Sequence, residues 1–138
     1  MGVTTDLLLI TAAVCLIVSL ALAWLASFIV YARVALLKRI FPATHQLIRA
    51  HIDYLLMSLL LVMSVYLIEK LLLDIPVAIM LLVCLGALYN PFGFIVLAVK
   101  PKLANPETRG EVIRILVGFL PASIGYGYIM FAVLASLL

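Results

Sequence analysis

The stretch "LLLITAAVCLIVSLALAWLASFIVY", Leu7 to Tyr31, decides the fold. It runs for 25 residues without a charged side chain. At 1.5 Å per residue, a helix of that length exceeds the roughly 30 Å of hydrocarbon in a bilayer. No basic segment precedes the run, and it is too long for a signal-peptide core. It therefore reads as a retained membrane span.

Outward from it, three further apolar runs follow. The four together cover about residues 7–31, 52–68, 75–99 and 113–138. The composition agrees: 68% of the 138 residues are hydrophobic, 11% are charged, and the mean hydropathy is +1.38. Soluble domains are nearer half apolar and a quarter charged. The expectation is an all-α protein, an integral membrane four-helix bundle forming a single domain over residues 1–138, with the lipid bilayer as its surroundings. The sequence has no Gly-rich phosphate loop, no HExxH and no nucleophile elbow. Cys15 and Cys84 both sit in apolar runs and read as small buried hydrophobes.

The net charge of +3 is a topology signal and gives no reason to expect a nucleic-acid partner. Arg33, Lys38, Arg39 and Arg49 lie in the first connection; Lys100, Lys102, Arg109 and Arg114 lie in the third. Those are eight of the nine basic residues. The positive-inside rule puts both connections on the cytoplasmic side and both termini outward, as in a bacterial inner membrane. The first connection, "VYARVALLKRI", has helical composition, so span one is expected to continue as helix and stop before Pro42. Pro101, Pro106 and Gly110 make the third connection a loop.

Polar groups inside hydrocarbon are expensive and face the bundle interior. Span one offers Ser19, Ala23 and Ser27 at i, i+4 and i+8, a small-residue stripe suited to close helix packing. Span two opens with "LIRAHIDYLLMSLLL", Leu47 to Leu61. His51, Tyr54 and Ser58 share one face there. Asp53 points elsewhere and reads as a charge capping the helix N-terminus. Span three carries "ALYNPFGF", where Pro91 frees a backbone carbonyl near Gly86 and Ala87 and Asn90 needs hydrogen-bond partners. Span four, with Gly118, Pro121, Gly125 and Gly127, reads as a bendable helix built for close packing. By chemistry His51 is either a satisfied interfacial residue or a metal or haem ligand.

"RAHIDYLLM" followed by "YNPFGFIVLAVKPKL" resembles a known family: the small four-helix membrane styrene-oxide isomerases and related hydroxylaminobenzene mutases. The shared positions are Arg49, Ala50 and His51, then Asn90, Gly93 and Phe94, across the middle half of the chain. The resemblance implies a homotrimer with haem b between subunits and His51 as the axial metal ligand. Arg49 would be a cofactor-binding partner of the propionates. Ferric iron would act as a Lewis acid on an epoxide oxygen, and ring opening with a 1,2-hydride shift would give an aldehyde without net redox. Asn90 would line the substrate pocket. Three of the family's polar positions are changed: Met57 stands where an Asn is expected, Gly86 where an acid is, and Phe94 where a Tyr is. Tyr54, Ser58 and Tyr89 are the candidate stand-ins beside Asn90.

Three functions follow as expectations. The first is a haem-dependent isomerase or mutase acting on a small apolar substrate. The second is a haem-binding membrane protein without isomerase activity. The third is a non-enzymatic membrane subunit. Coupled transport is disfavoured because the middles of the spans lack Asp and Glu.

Overall fold

In the computed structural model the described residues are 3–105 and 108–138, without the side chains of residues 3, 4 and 114. Pro106 and the side chain of Arg114, both named above, lie outside them. The elements are α1 (Val3–Val30), α2 (Ala35–Ile40), α3 (Thr44–Lys70), α4 (Val77–Val99), a 3₁₀ turn (Pro101–Ala104) and α5 (Arg109–Leu137). Helices α1, α3, α4 and α5 are each long and apolar enough to cross a membrane. The protein is an all-α integral membrane bundle. Its outward helix faces, with Ile17, Trp24, Leu59 and Phe131 exposed, suit lipid contact.

The buried stripe of α1 is Leu8, Ala12, Cys15, Ser19, Leu22, Ala26 and Ile29. The steps alternate between four and three, the spacing of a coiled-coil seam. On α3 the buried stripe includes Leu47, Ala50, Tyr54, Ser58, Leu61, Val65 and Ile68. Hydrogen bonds tie the two helices at intervals. Ser58 Oγ donates to the Ala12 carbonyl at 2.9 Å, and His51 bonds Ser19.

The α4–α5 seam uses the absence of side chains. A Cβ on Gly86 would lie 2.5 Å from the Ala122 backbone nitrogen, and one on Gly125 would lie 2.5 Å from Val83 Cγ2. Close approach at small residues is how helices gain dispersion energy where lipid offers no hydrophobic drive. Pro91 sits inside α4. It lacks the N–H that would bond the Ala87 carbonyl. That carbonyl instead accepts from the Cys15 thiol at 3.8 Å, and the next one, of Leu88, accepts from Tyr54 Oη–H at 3.0 Å. Cys15 thus does more than fill space.

Two expectations are corrected. Helix α1 does not run on toward Pro42: it ends at Val30, Arg33 turns the chain with φ 52°, and α2 restarts at Ala35. Composition favoured helix throughout, but the turn lets α2 fold back and Lys38 Nζ donate to Thr44 Oγ1 at 3.0 Å at the head of α3. Asp53 does not cap α3, because that helix starts at Thr44 with Ala43 as its N-cap. The connection supplied helix-forming residues ahead of the apolar run, so the helix begins two turns before the charge. At the other end of α3, Leu72 takes φ 51° and the Leu73 N–H reaches the Ile68 carbonyl at 3.0 Å. This is a left-handed cap closed by a leucine where glycine is usual. Helix α5 opens with a capping box, Thr108 with Glu111.

Candidate ligand site at His51

Because α3 begins at Thr44, His51 lies two turns inside it, on the flank facing α1. Its Nδ1 lies 2.9 Å from the Ser19 carbonyl oxygen and 2.8 Å from Ser19 Oγ. Ser19 Oγ–H in turn donates to the His51 carbonyl at 2.9 Å. A carbonyl can only accept, so this arrangement requires the imidazole proton on Nδ1. In the neutral ring the lone pair is then on Nε2, and Nε2 makes no hydrogen bond among the described residues. Metal-ligating histidines are commonly oriented this way, with the other ring N–H tied to a carbonyl.

The ring borders a groove of about 280 Å³ between α1 and α3. Ala23, Ala26, Ser27, Val30, Tyr31 and Ile48 form the rest of it. Two members of the small-residue stripe, Ala23 and Ser27, therefore keep this groove open, while Ser19 is fully buried as the histidine's partner. Ser19 was legible only as part of that stripe. The signal that could have singled it out is its hydroxyl at mid-span, a group that must find a partner in hydrocarbon.

The other candidates are distributed differently. Tyr54 and Ser58 face into the bundle near His51, but their hydroxyls are committed to the Leu88 and Ala12 carbonyls. Arg49 is exposed and does not border the groove. Asn90 and Tyr89 line a second cavity, between α4 and α5, that shares no lining residue with the first. Gly93 and Phe94 line it as well. Met57 packs against the core. Among the described residues no three His, Cys, Asp or Glu side chains cluster to hold a metal by themselves.

The hydroxyl and the carbonyl of residue 19 contribute separately. Ser19→Ala keeps the carbonyl, so nitrogen-15 NMR of the haem-free protein is expected to show His51 still protonated at Nδ1. Stability should fall by about 0.6 kcal/mol, the usual worth of one interhelical hydrogen bond in a membrane. Ser19→Leu puts a branched side chain where the ring now rests and is expected to erase the tautomer preference.

Comparison with protein-family models, with curated proteins and with solved structures finds no match to this chain. What fold and site define is a class: an integral membrane helical bundle with one interhelical histidine, fixed in tautomer, beside a groove.

Proposed function

We propose that this is a haem b-dependent membrane isomerase or mutase that rearranges a small apolar, aromatic epoxide-like substrate. The observation that carries the reading is the double hold of Ser19 on His51 Nδ1, which leaves Nε2 without a hydrogen bond among the described residues in a side chain that borders the groove. The donor set fits the group: an imidazole with its second nitrogen fixed, flanked by small and apolar side chains. The chemistry a ferric haem would supply there is Lewis acidity toward an epoxide oxygen.

The chain's own residues would do the rest. Ser19 holds the proton on Nδ1 and keeps the ring from rotating. Ala23 and Ser27 keep space beside the ring, and Val30 and Ile48 give the groove apolar walls. Asn90 and Tyr89 offer an amide and a phenol with no side-chain hydrogen bond among the described residues. Since they lie apart from His51 within one subunit, a homotrimer in which neighbouring subunits meet at the groove is the assembly that suits this reading. The basic connections would face the cytoplasm of a bacterial inner membrane.

A second reading, haem binding without isomerisation, is favoured by one observation. The hydroxyls of Tyr54 and Ser58 are already used in holding helices together. An absorption spectrum of the detergent-solubilised protein after haem supplementation tests both. A Soret band together with conversion of styrene oxide to phenylacetaldehyde supports the first. A Soret band without turnover selects the second. A colourless protein overturns both and leaves a non-enzymatic membrane subunit.

A further inference from the structure

The head of α3 is an uncapped helix end in basic surroundings. Ala43, its N-cap, makes no side-chain cap bond, and no acidic residue stands in the first turn. The N–H groups of Thr44 and His45, the first two of the helix, find no acceptor among the described residues. Orphan donors of this kind, together with the positive end of the helix dipole, attract anions. Lys38 Nζ stands at the same place. It donates to the Pro42 carbonyl at 3.3 Å and to Thr44 Oγ1 at 3.0 Å, which leaves the third ammonium N–H without a partner among the described residues. The Ala43 N–H reaches the Ala98 carbonyl at 3.3 Å, so the end of α4, with Lys100 two residues on, lies alongside.

Gln46 narrows the choice of anion. The residue is only 8% exposed, and its Oε1 is buried without a hydrogen bond among the described residues. A buried amide oxygen costs free energy until a donor meets it. Helical side chains lean toward the N-terminus, so Gln46, in the first turn, leans toward the uncapped end. Around it Arg33, Lys38, Arg39, Arg49, Lys100 and Lys102 are all exposed, and none makes an ion pair among the described residues. Asp53 lies more than two turns farther into α3, and the Glu111 carboxylate accepts from the Thr108 N–H at the start of α5. Helix α2 has no buried residue, and Leu36 and Ile40, one turn apart, are exposed beside Lys38 and Arg39. Apolar side chains toward acyl chains and basic ones toward headgroups suit a helix lying at the membrane interface.

We infer that the head of α3, with Lys38 and Gln46, binds the headgroup of an anionic phospholipid that carries a hydroxyl, as phosphatidylglycerol does. The phosphate accepts from the Thr44 and His45 N–H groups and from Lys38. The headgroup hydroxyl donates to Gln46 Oε1. A hydroxyl both donates and accepts, so it satisfies the amide in either orientation. An ammonium headgroup could also donate, but it would bring a positive charge into a basic cluster. Basic clusters beside membrane spans commonly recognise anionic lipid. Lys38, Thr44, His45 and Gln46 border neither the His51 groove nor the cavity between α4 and α5, so the inference stands whether or not haem binds.

The test is native mass spectrometry of the full-length, detergent-solubilised protein titrated with short-chain lipids. Phosphatidylmethanol has the charge and chains of phosphatidylglycerol but no headgroup hydroxyl. Wild type is expected to bind phosphatidylglycerol about fivefold more tightly than phosphatidylmethanol, as one hydrogen bond would give. Phosphatidylcholine, without net charge, should bind at least tenfold more weakly than phosphatidylglycerol. Gln46→Leu, close in size, should erase the preference for the hydroxyl. Lys38→Gln should weaken both anionic lipids about fivefold and keep that preference. Lys70→Gln makes the same charge change at the far end of α3 and should alter neither. If Gln46→Leu does not fold, the wild-type preference and the contrast between the two lysines decide. Equal binding of the two anionic lipids by wild type, a preference that survives Gln46→Leu, or equal losses in Lys38→Gln and Lys70→Gln would mark general attraction to a basic face and overturn the inference. Displacement of the lipid by glycerol phosphate at the lipid's own affinity would assign the site to a soluble phosphate ester and overturn it as well.

Discussion

Replacing His51 with alanine is expected to abolish the Soret band of haem-supplemented protein while leaving the bundle folded. The two effects separate because the residue has two connections. Through Nδ1 it contributes hydrogen bonds to Ser19. Such bonds in membrane bundles average about 0.6 kcal/mol and reach about 1.7. Losing them lowers stability modestly. Through Nε2 it would supply the proposed ligand to iron, and its removal leaves the groove without a donor of comparable strength: Tyr31 and Ser27 are its remaining polar side chains among the described lining. Loss of a residue that merely orients a ligand costs 10- to 100-fold in metal affinity in typical metal sites, so loss of the ligand should cost more than about 100-fold. The measurement is haem titration followed by absorbance, alongside a thermal melt by circular dichroism. Wild-type haem affinity in His51→Ala would sink the assignment. A melt collapsed by tens of degrees would instead show that the histidine is structural.

The second large effect is expected at Gly86. Substitution by leucine should cost about 3 kcal/mol or prevent α5 from docking, at the upper end of ordinary overpacking. The reason is geometric. The missing Cβ would fall 2.5–2.6 Å from backbone and side-chain atoms of Ala122, and backbone cannot move aside as a flexible side chain can. Aspartate there should fare no better. The family that the sequence resembles carries an acid at this position, so Gly86→Asp would be the obvious attempt to restore it. In this packing it is expected to split α4 from α5. Steric-trap or detergent-denaturation unfolding would read the loss. A Gly86→Asp protein as stable as wild type would show that the α4–α5 seam opens more readily than its geometry implies. Gly93→Leu, a larger side chain on the same helix, provides the contrast: it should be tolerated because nothing lies within 4 Å.

Much of the candidate site was visible in the sequence, but its grouping was not. His51 stood out because an ionisable ring near an apolar run needs a reason. Tyr54 and Ser58 share its inward side of the helix, as 100° per residue requires. The helix wheel could not say that Tyr54 reaches α4 while Ser58 reaches α1. Nor could it say that both hydroxyls end on backbone carbonyls. Pro91 was legible as a freed carbonyl, yet the group that answers it, the Cys15 thiol, lies 72 residues earlier. Cys15 looked like an inert small hydrophobe because nothing local distinguishes a thiol that donates from one that fills space. Asp53 departs from its expected capping role for a different reason. The start of the apolar run is not the start of the helix: helix formation follows backbone preference, and α3 begins among polar residues at Thr44.

The sequence alone determined that the chain is helical and membrane-embedded, with four spans and its positive charge gathered at one end. Length and hydropathy suffice for that, since in hydrocarbon a single open segment can satisfy its backbone only as a helix. The tertiary structure decided which face of each helix turns inward. Spans this uniformly apolar carry little amphipathic pattern, because lipid tails are as apolar as leucine and leave no periodic signature. The inward faces are set instead by where backbones can approach, Gly86 on Ala122 and Gly125 on Val83, and by polar pairs distant in sequence, Ser19 with His51 and Cys15 with Ala87. Those same contacts place His51 beside one groove and Asn90 beside another cavity. That separation depends on distances between helices, which no spacing along the chain encodes.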